Sequence, residues 1–574
     1  MPKLTIDDKT VEVPDGTSLL MAARQADIYI PTLCHHPDQE VKANCRMCLV
    51  EVDGARLLQA ACAAPAADGM VVHTTSDKVR RARNTVLELI IAHHPLNCLY
   101  CHRHGRCELQ TVAHNLNFIR HPRFPQTVRD DEIDLSSPSI MRDPSKCIVC
   151  GRCELVCTSV QTVHALAKEG RGFDTVYKAV FGKPLGETVC INCGQCVQVC
   201  PVDAINVHDD SSKVWDAIGS PDKHVIAQVA PATRITIAEA LGEAPGTVST
   251  GRLVTALKTI GVDTVFDTDV TADLTIMEEG TELINRLTNG GVLPMITSCC
   301  PGWVKFCETF YPELLPHLSS CKSPQGMFGA LIKTFYSDKL DKAPDDVYSL
   351  SVMPCTAKKF EAGRPELGRD GRPDIDGVVT VQELANMIQS SGITFSSLPE
   401  TDFDDPFGLG TGAGEIFGAT GGVMEAALRT VYEVVTGTPL ENIDFVDCRG
   451  FAGVKEASVQ MGDMTVKVAI AHGLGNARSL MEAVKRGEAD YQFIEIMACP
   501  GGCIGGGGNP LKDWNKMDHR FDAVYETDTS LPLRKSHEDP AVQALYEQFL
   551  GEPNSHKAHE LLHTTYQDRS ALLD

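Results

Sequence analysis

The sequence has no apolar run long enough to cross a membrane, since no stretch approaches the about 18 residues that a spanning helix needs. Its first residues, MPKLTIDDKTVEV, contain neither a basic segment followed by an apolar one nor a twin-arginine pair. An excess of positive charge is also absent: the net charge is −24, whereas affinity for nucleic acid depends mainly on Lys and Arg. These absences predict a cytoplasmic protein that binds neither membrane nor nucleic acid.

The composition is that of a folded globular protein, with 43% hydrophobic and 22% charged residues. A chain of 574 residues is too long for a single hydrophobic core, because cores stop growing near roughly 250–300 residues. We therefore expect several domains.

Cysteine is abundant, with 23 residues, and in a reducing cytoplasm these are expected to bind metal rather than to form disulfides. Fifteen fall within the first 200 residues, none lies between Cys200 and Cys299, and eight follow. The early cysteines form tight runs, whereas the later ones stand singly or in pairs at the ends of apolar stretches. The chain is therefore expected to divide functionally near residue 210 and to hold two kinds of site.

The first segment, KLTIDDKTVEV, predicts a β-hairpin, and Thr17 or Ser18 is placed to cap a helix over SLLMAARQADI. Four cysteines follow, which is the ligand number of a [2Fe-2S] cluster: Cys34, Cys45, Cys48 and Cys62. Their spacing resembles the N-terminal ferredoxin-like domain that complex I large subunits and [FeFe]-hydrogenases share. A structural zinc site is the alternative, although zinc sites more often pair two CxxC knuckles.

A helix-like run then leads to three cysteines with no fourth nearby: Cys98, Cys101 and Cys107. His94 stands four residues before Cys98, and the pattern is similar to the His-ligated [4Fe-4S] site of the same two families. The neighbouring His93 is a competing candidate. Residues 121–139 have the Pro, Ser and charge content of a linker.

The strongest local signal is a repeated CxxCxxCxxxC pattern, typical of bacterial two-cluster ferredoxins, in which the fourth cysteine of each run ligates the other run's cluster. The expected ligand sets are Cys147, Cys150 and Cys153 with Cys200, and Cys190, Cys193 and Cys196 with Cys157. Four clusters in one chain indicate electron transport, because a single cluster would be enough to stabilise a fold.

After residue 223 the chain alternates between strand-like and helix-like stretches, which predicts an α/β architecture with parallel sheet. Four apolar stretches run into loops rich in Gly, Pro or Cys: HVIAQVAPATR, VLPMITSCCPGW, VYSLSVMPCTAKKF and FIEIMACPGGCIGGGG. Ligands of open α/β sheets bind beyond the carboxyl ends of the strands, and three of these four ends carry cysteine. We therefore expect them to meet at one site.

Three loops resemble the signature loops of [FeFe]-hydrogenases and occur in the same order. They are TSCCPGW at 297–303, MPCTAKK at 353–359 and MACPGGCIGGGG at 497–508. With the N-terminal modules and the LLHTTY segment, the resemblance covers nearly the whole chain. It implies an enzyme that reversibly oxidises H₂ and reduces protons at an H-cluster. That cofactor is a [4Fe-4S] cluster joined to a diiron group, which carries carbonyl, cyanide and a dithiolate amine.

The resemblance also assigns site residues. The cubane of the H-cluster would be held by Cys300, Cys355, Cys499 and Cys503, with Cys503 bridging to the diiron group, and Lys358 would donate to a cyanide. The rest of the pocket would comprise Ala230, Pro231, Ser323, Gln325, Met353, Phe417 and Met497. Many family members have Ser where this chain has Ala232, so one hydrogen bond to a cyanide is missing. GGGNP at 506–510 replaces the commoner GGGQP, which we expect to be tolerated.

Cys299 neighbours a proposed ligand without being one, and an ordinary thiol pKa of about 8.5 allows it to relay protons near neutral pH. The resemblance implies a proton path of five residues: Cys299, Glu279, Ser319, Glu282 and Arg286. The two glutamates are three residues apart and share a helix face; without the resemblance, a solvated face is the simpler interpretation. The remaining cysteines are expected to be buried small hydrophobic residues: Cys307, Cys321 and Cys448.

The expected fold is multidomain α+β and α/β. A β-grasp [2Fe-2S] domain at 1–80 precedes a helical His/Cys₃ [4Fe-4S] module at 81–125, a bacterial two-[4Fe-4S] ferredoxin domain at 138–209 and a large α/β H-cluster domain at 210–574. Beside the H-cluster, this organisation implies three [4Fe-4S] clusters and one [2Fe-2S] cluster. The diiron group would need maturation enzymes.

Other classes share parts of this pattern. Complex I-like electron carriers lack the three later loops, eukaryotic hydrogenase-like assembly factors have incomplete ones, and hydrogen-sensing homologues usually carry an added signalling domain. No GxGxxG follows a strand, so electrons are expected to pass to ferredoxin or to a flavin- and NAD(P)-binding partner subunit. The basic stretch 78–83, with Arg103 and Arg106, is either a docking face for an acidic partner or scattered surface charge.

Overall fold

The computed structural model describes residues 1–118, 123–462, 464–511 and 513–573. Residues 119–122, which belong to the predicted module 81–125 and the start of the predicted linker, lie outside the described residues. The chain divides into two compact units. The first comprises Met1–Ser159, His164–Thr188 and Val199–Asn206, and the second comprises Val160–Val163, Val189–Gln198 and Val207–Asp574.

The first unit begins with the predicted hairpin, formed by β1 (Lys3–Ile6) and β2 (Lys9–Glu12). Helix α1 (Leu19–Gln25) starts after Ser18, whose hydroxyl accepts a hydrogen bond from the Met21 N–H. Three more strands complete a five-stranded sheet of order β2-β1-β5-β3-β4: β3 (Leu49–Val52), β4 (Gln59–Ala60) and β5 (Val71–His73). The helix packs its apolar face on this sheet, which gives the first cysteines a rigid support.

Helix α2 (Asp77–Ala92) leads into the second group of cysteines. Ser76 caps its start, and the buried Arg83 donates to the Leu49 carbonyl at 2.7 Å, which ties the helix to β3. The other elements before residue 210 are α3 (Glu108–Asn115), β6 (Ile140–Arg142), α4 (Arg152–Leu155), β7 (Leu166–Glu169), β8 (Val176–Ala179), α5 (Gln195–Val199) and β9 (Ile205–Val207).

The second unit contains two four-stranded sheets. Their strands are β10 (His224–Val229), β11 (Thr264–Asp267), β12 (Met295–Ile296), β13 (Val347–Met353), β16 (Gly377–Thr380), β17 (Val454–Met461), β18 (Met464–His472) and β19 (Phe493–Met497), beside a small pair, β14 (Gly368–Arg369) and β15 (Arg372–Pro373). The helices are α6 (Ser211–Ile218), α7 (Pro231–Ala240), α8 (Thr250–Ile260), α9 (Thr268–Asn289), α10 (Pro301–Phe310), α11 (Pro324–Leu331), α12 (Ser337–Lys339), α13 (Ala357–Ala362), α14 (Val381–Ser390), α15 (Gly412–Glu415), α16 (Gly422–Thr436), α17 (Leu474–Lys485), α18 (Trp514–Ser530), α19 (Pro540–Leu545) and α20 (His556–Leu562).

One sheet, of order β11-β10-β13-β16, is parallel throughout, and the other, of order β12-β19-β18-β17, is parallel except for its β17–β18 hairpin. The four apolar stretches read as strands are β10, β12, β13 and β19, but they are shared between two sheets. Each is buried along almost its whole length, as expected for parallel strands covered on both faces. The predicted α/β class is confirmed. None of the helices in the described ranges is long and apolar enough to span a bilayer.

Helix α9 differs from most long helices, which expose a polar face to solvent, because polar residues on it are buried. It packs against α11, α15 and α16, so that Glu279 is buried and the Glu282 side chain is only 14% exposed. The interpretation of this segment as a solvated helix face is therefore wrong, because neighbouring helices cover the side on which the glutamates lie.

A buried carboxylate cluster supports the start of α9. The guanidinium of Arg234, itself 1% exposed, pairs with three carboxylates: Asp267, Asp269 (3.3 Å) and Glu415 (3.0 Å). One cation cannot neutralise three anions, so the cluster favours retained protons. Burial raises the pKa of Glu415 to about 7, against the opposing effect of Arg234, and raises the pKa of Asp269 as well.

Glu415→Gln is expected to stabilise the protein at pH 8. Since the folded pKa of about 7 lies above the ordinary 4.5, the stability that depends on this proton is present below about pH 4.5 and is lost as pH rises through 7. The neutral amide avoids that loss, which is about 3 kcal/mol at full extent. Thermal unfolding at pH 5 and pH 8 measures the gain; exposed Glu547→Gln is the control. An equal effect at both pH values would contradict the prediction.

Candidate functional site

A cavity of about 720 Å³ lies at the carboxyl ends of strands from both sheets of the second unit. Loops after β10, β12, β13 and β19 supply its wall, because parallel strands direct their following loops to the same edge. Its lining comprises Ala230, Pro231, Ala232, Thr268, Cys299, Cys300, Pro301, Pro324, Gln325, Met353, Pro354, Cys355, Lys358, Phe417, Met497, Ala498, Cys499, Gly502, Cys503 and Gly506. The expectation that the cysteine-bearing strand ends meet thus matches the arrangement observed.

Four of these lining residues are the thiols predicted to hold a cubane: Cys300, Cys355, Cys499 and Cys503. Burial raises the pKa of all four, because it disfavours the charged thiolate form. Backbone N–H groups oppose this effect; Ala498 N–H donates to the Cys300 sulfur at 3.3 Å, and Cys300 itself precedes the first turn of α10. Convergent soft sulfur atoms with such donors fit an iron–sulfur cluster.

Glycine is required where the third loop closes on the cavity. Gly502 has φ of +88°, and a Cβ there would lie 2.6 Å from the Thr420 nitrogen. A Cβ on Gly506 would lie 2.3 Å from the Pro354 carbonyl oxygen. Only residues without a side chain let the Cys503 loop approach the Cys355 loop this closely.

Lys358 projects its ammonium group into a buried polar network at the cavity wall. Its Nζ donates to the Ser323 hydroxyl at 2.7 Å, to the Cys299 carbonyl at 3.2 Å and to Glu361 at 2.8 Å. Burial opposes the charge, but the Glu361 carboxylate raises the pKa of Lys358. Gln325 donates to the same carboxylate at 2.9 Å, while its Oε1, which is buried, has no hydrogen-bond partner among the described residues. This side of the cavity therefore offers both a cation and an unsatisfied polar atom.

Asn509, the residue that replaces the commoner Gln, is buried, and both its side-chain nitrogen and its side-chain oxygen form hydrogen bonds. Its amide donates to the carbonyls of Cys503 at 2.8 Å and Ile504 at 3.0 Å, and its oxygen accepts from Thr236 at 3.0 Å. The shorter side chain thus still fixes the Cys503 loop. Ala232 is fully buried in the cavity wall and presents only a methyl group there.

Five residues lead from the cavity along one face of α9 to Arg286, in the last turn of that helix. Cys299 lines the cavity, and Glu279 is the neighbouring charge that acts on its thiol. Ser319 lies between the two glutamates. Its hydroxyl forms a hydrogen bond with the Glu279 side chain and donates to the Glu282 carboxylate at 3.2 Å. Glu282 in turn pairs with Arg286 at 2.6 Å. Burial raises the pKa of Glu279 to about 8, partly offset by the Ser319 hydrogen bond.

The loop carrying Cys190, Cys193 and Cys196 belongs to the second unit and contacts the Cys503 loop. Gln198 donates to the carbonyls of Gly507 at 3.2 Å and Asn509 at 2.9 Å, and Gln195 donates to Gly505 at 3.0 Å. On the other side, the Thr356 hydroxyl, next to Cys355, donates to the Asn192 carbonyl at 2.7 Å. These side chains fix the spacing between the second ferredoxin-type cysteine run and the cavity.

Gln198→Ala is expected to lower the free energy of unfolding by about 1–3 kcal/mol, because buried carbonyls lose their donor. It should also slow viologen-linked hydrogen turnover more than H₂/D₂O exchange, since exchange needs no electron relay. Gln195→Ala removes a single donor and should have a smaller effect. Equal slowing of turnover and exchange would show that the loop supports the cavity rather than electron transfer.

In the first unit, four cysteines line a second cavity, of about 380 Å³: Cys147, Cys150, Cys153 and Cys200. This is one of the two predicted ferredoxin-type ligand sets. The pairing of Cys157 with Cys190, Cys193 and Cys196 stays a prediction.

His94, the predicted fourth ligand of the second cysteine group, is buried rather than on the surface. It is 7% exposed; its Nδ1 contacts the Pro95 carbonyl at 2.8 Å, and its Nε2 has no hydrogen-bond partner among the described residues. A hydrogen bond on one imidazole nitrogen leaves the other as the donor to a metal. By contrast, His93 contacts Thr127. Of the three cysteines of this module, Cys107 is buried and Cys98 and Cys101 are partly exposed.

The first four cysteines also lie together. The sulfur atoms of Cys48 and Cys62 are 3.3 Å apart, and the Cys45 N–H donates to the Cys34 sulfur at 3.4 Å. Within each pair, the thiol contact lowers the pKa of one member, Cys45 or Cys48, and raises the pKa of the other, Cys34 or Cys62. Such a group is a compact ligand set for a small cluster.

Sequence patterns missed several residues that hold this site. Glu361 and Gln198 were given no role by any pattern, and Thr356 and Asn509 lie in quoted loops without an assigned role; only their hydrogen bonds mark all four. Ser323 was predicted in the pocket; it acts through Lys358 and does not itself line the cavity. The three remaining cysteines are buried as expected: Cys307, Cys321 and Cys448.

Comparison with known families gives matches along the chain. The model described as "Iron only hydrogenase large subunit, C-terminal domain" matches residues 223–507, and "Iron hydrogenase small subunit" matches residues 515–569. Further models match 2–77 ("2Fe-2S iron-sulfur cluster binding domain"), 83–122 ("NADH-ubiquinone oxidoreductase-G iron-sulfur binding region") and 146–204 ("4Fe-4S dicluster domain").

Individual relatives agree with these matches. The chain is 49% identical to the "NADP-reducing hydrogenase subunit HndD" of Solidesulfovibrio fructosivorans over 100% of both chains. It is 39% identical to "Iron hydrogenase 1" of Clostridium pasteurianum, over 99% of this chain and 100% of that one. The solved structure of a variant of the [FeFe]-hydrogenase HydA1 from Chlamydomonas reinhardtii superposes with a TM-score of 0.58 and 44% identity, over 63% of this chain and 99% of that chain. The chain therefore belongs to the [FeFe]-hydrogenase family.

Proposed function

We propose that this iron hydrogenase oxidises H₂ and reduces protons reversibly at an H-cluster held by Cys300, Cys355, Cys499 and Cys503. The observation that carries the proposal is the convergence of these four thiols, from three loops, on one cavity whose wall also holds Cys299 and Lys358. Bound there, the H-cluster would supply an iron atom with an open position at which H₂ is polarised.

The chain's own residues would move the proton and hold the pocket. The Cys299 thiol would take a proton released in the cavity and pass it to Glu279, from which Ser319 and Glu282 lead to Arg286 at the outer end. Lys358, kept charged by Glu361, would hold an anionic ligand of the diiron group, and Gln325, whose Oε1 has no hydrogen-bond partner among the described residues, lines the same cavity. Met353, Met497 and Phe417 would exclude water from it.

The remaining cysteines would form the electron relay. In this proposal the ranges 1–80, 81–125 and 138–209 carry one [2Fe-2S] cluster, one His-ligated [4Fe-4S] cluster and two ferredoxin-type [4Fe-4S] clusters, and 210–574 carries the H-cluster. The contacts of Gln198 and Gln195 with the Cys503 loop support electron passage from the nearest of these clusters.

Electrons would leave the chain to another protein. The 49% identity to a subunit of an NADP-reducing hydrogenase supports an NAD(P)-linked partner as one acceptor system, and ferredoxin is the other. Maturation enzymes would install the diiron group.

The test uses full-length protein, matured anaerobically with the diiron group. Hydrogen evolution from reduced methyl viologen, together with infrared bands of carbonyl and cyanide, is expected. Assays with ferredoxin, with and without NADPH and NADH, then identify the acceptor. Protein that carries all its iron and the infrared bands but neither evolves nor consumes H₂ would contradict the proposed function.

A further inference from the structure

Three side chains of different chemistry meet beside the proposed proton path. A carboxylate oxygen of Glu282, the sulfur of Cys321 and a ring nitrogen of His563 all lie within 4.8 Å of one another. Cys321 is 1% exposed, His563 is 8% exposed, and the Glu282 side chain is 14% exposed. Thiolate, imidazole and carboxylate are the side-chain ligands that Zn²⁺ takes in proteins, often three at a time with water in the fourth position. The group therefore has the ligand composition of a zinc site.

Paired backbone holds two of these residues opposite each other. Cys321 and His563 form an antiparallel β-bridge, and beside it the Lys322 N–H donates to the Leu562 carbonyl at 2.8 Å. From helix α9, the Glu282 Oε2 atom approaches the Cys321 sulfur to 4.0 Å. Tetrahedral zinc brings its ligand atoms to about 3.5 Å from one another, since its bonds are about 2.0–2.3 Å long. Side-chain movements of about an ångström would therefore close the three atoms on an ion.

His563 is oriented as zinc-binding histidines are. Its Nε2 lies 3.0 Å from the Glu278 carboxylate, and its Nδ1 lies 2.8 Å from the Ser320 hydroxyl. An ionised carboxylate only accepts, so Nε2 carries the hydrogen and Nδ1 keeps its lone pair. The same Ser320 hydroxyl donates to Glu282 Oε2 at 3.0 Å, which places Nδ1 on the side of Glu282. A carboxylate on the far nitrogen is the usual support of a histidine that binds metal.

Glu278 is itself held in place for this contact. It is fully buried and accepts hydrogen bonds from the Tyr546 hydroxyl at 2.6 Å and from the Asn554 N–H at 2.8 Å. The proposed proton path does not include Glu278, so its burial beside an imidazole has no explanation in proton transfer. Orientation of His563 toward a metal supplies that explanation.

The charges of the ligands match a divalent ion. The Glu282 carboxylate and the Cys321 thiolate would together neutralise Zn²⁺, and the Cys321 thiol would release its proton to water as the zinc–sulfur bond forms. Arg286 would keep its pair with the other carboxylate oxygen, Glu282 Oε1, at 2.6 Å. Mg²⁺ and Ca²⁺ are poorly matched to this site, because both select oxygen ligands.

We propose that Glu282, Cys321 and His563 bind Zn²⁺ and that the bound ion stops proton transfer through Glu282. The Glu282 Oε2 atom accepts from the Ser319 hydroxyl at 3.2 Å, and zinc would occupy this oxygen, so the path would lose its acceptor at that step. The exposed His559 ring lies 4.0 Å from the His563 ring, which leaves the site one side chain away from solvent. The zinc site rests on geometry alone, whereas the inhibition rests on the proposed function.

The test adds Zn²⁺ alone, at buffered free concentrations, to the full-length, matured enzyme. Zinc is expected to lower viologen-linked hydrogen evolution and H₂/D₂O exchange in parallel, while the carbonyl and cyanide infrared bands stay unchanged. X-ray absorption at the zinc edge should show one sulfur at about 2.3 Å and nitrogen or oxygen ligands at about 2.0–2.2 Å. A spectrum with several sulfur ligands would place the ion on the cluster cysteines and would overturn the proposal.

Variants of the ligands and of their support give a second measurement. Glu278→Gln should raise the zinc concentration for half inhibition about 10- to 100-fold, the usual effect of removing a group that orients a metal ligand. Cys321→Ala and His563→Gln should raise it at least as much and leave hydrogen evolution without zinc unchanged. Two matched controls should behave as the parent enzyme: Cys307→Ala, at a buried cysteine outside the group, and His537→Gln, in another group of His and carboxylates.

The possible failures can be told apart. Unchanged zinc inhibition in both Cys321→Ala and His563→Gln would overturn the site. Zinc bound by the expected ligands without any loss of hydrogen evolution would overturn the block of proton transfer but not the proposed function. Lack of hydrogen evolution by the zinc-free parent enzyme would contradict the proposed function itself.

Discussion

Cys299→Ala is expected to lower hydrogen turnover roughly 100-fold to 10,000-fold, the range over which a positioned acid–base group contributes to catalysis. The thiol lines the cavity beside Glu279, and no other residue of the lining except the four proposed ligands carries a thiol. The backbone carbonyl of residue 299, which accepts from Lys358 at 3.2 Å, is kept in the variant, so the polar network should survive. Hydrogen evolution from reduced methyl viologen and the infrared spectrum measure the two effects separately.

The expected result is loss of turnover with the carbonyl and cyanide bands intact. Cys307→Ala is the matched control, because Cys307 lies in α10, close in sequence to Cys299, is fully buried and lines neither cavity. If the bands disappear in Cys299→Ala but not in the control, the residue serves cluster assembly instead of proton transfer.

Glu279→Gln is expected to reduce turnover by a similar factor, again roughly 100-fold or more, because an amide cannot exchange a proton between Cys299 and Ser319. Burial raises the pKa of Glu279 to about 8, so the carboxyl is mostly neutral at pH 7 and is placed to both give and take a proton. When proton transfer limits turnover, the parent enzyme should show an apparent pKa near 8, which the variant lacks.

The unfolding temperature of the variants distinguishes a proton-transfer role of Glu279 from a structural role. The folded pKa of Glu279 lies above the ordinary 4.5, so its stabilising proton is present at low pH and is lost as pH rises through 8. Glu279→Gln should therefore leave the unfolding temperature nearly unchanged below about pH 4.5, where the parent carboxyl is neutral in both states, and should raise it at pH 9. Glu279→Asp should recover part of the activity. An inactive variant that is also destabilised at pH 6 would indicate packing.

The comparisons bear out the family, the α/β class and the presence of [2Fe-2S] and [4Fe-4S] domains that the cysteine patterns indicated. Spacing was sufficient for this because most of the predicted ligands of a ferredoxin-type cluster are close in sequence, as in Cys147, Cys150 and Cys153. The hairpin at the N-terminus was equally local: alternating apolar residues around an Asp7–Asp8 turn, followed by a Ser18 cap.

Tertiary structure decided what local pattern leaves open. Glu279 is buried only because three helices cover α9, and no feature of its own sequence distinguishes it from a solvated residue. Three other features join residues that are far apart in the chain. They are the division of four similar strands between two sheets, the hydrogen bond from Gln198 to the Gly507 carbonyl and the hydrogen bond from Lys358 to Ser323. The sequence by itself determined which candidate ligands the chain carries, since coordination chemistry selects residue types, often at short spacings. Where those ligands meet, and which buried groups become protonated around them, depends on packing and desolvation, which exist only once the chain is folded.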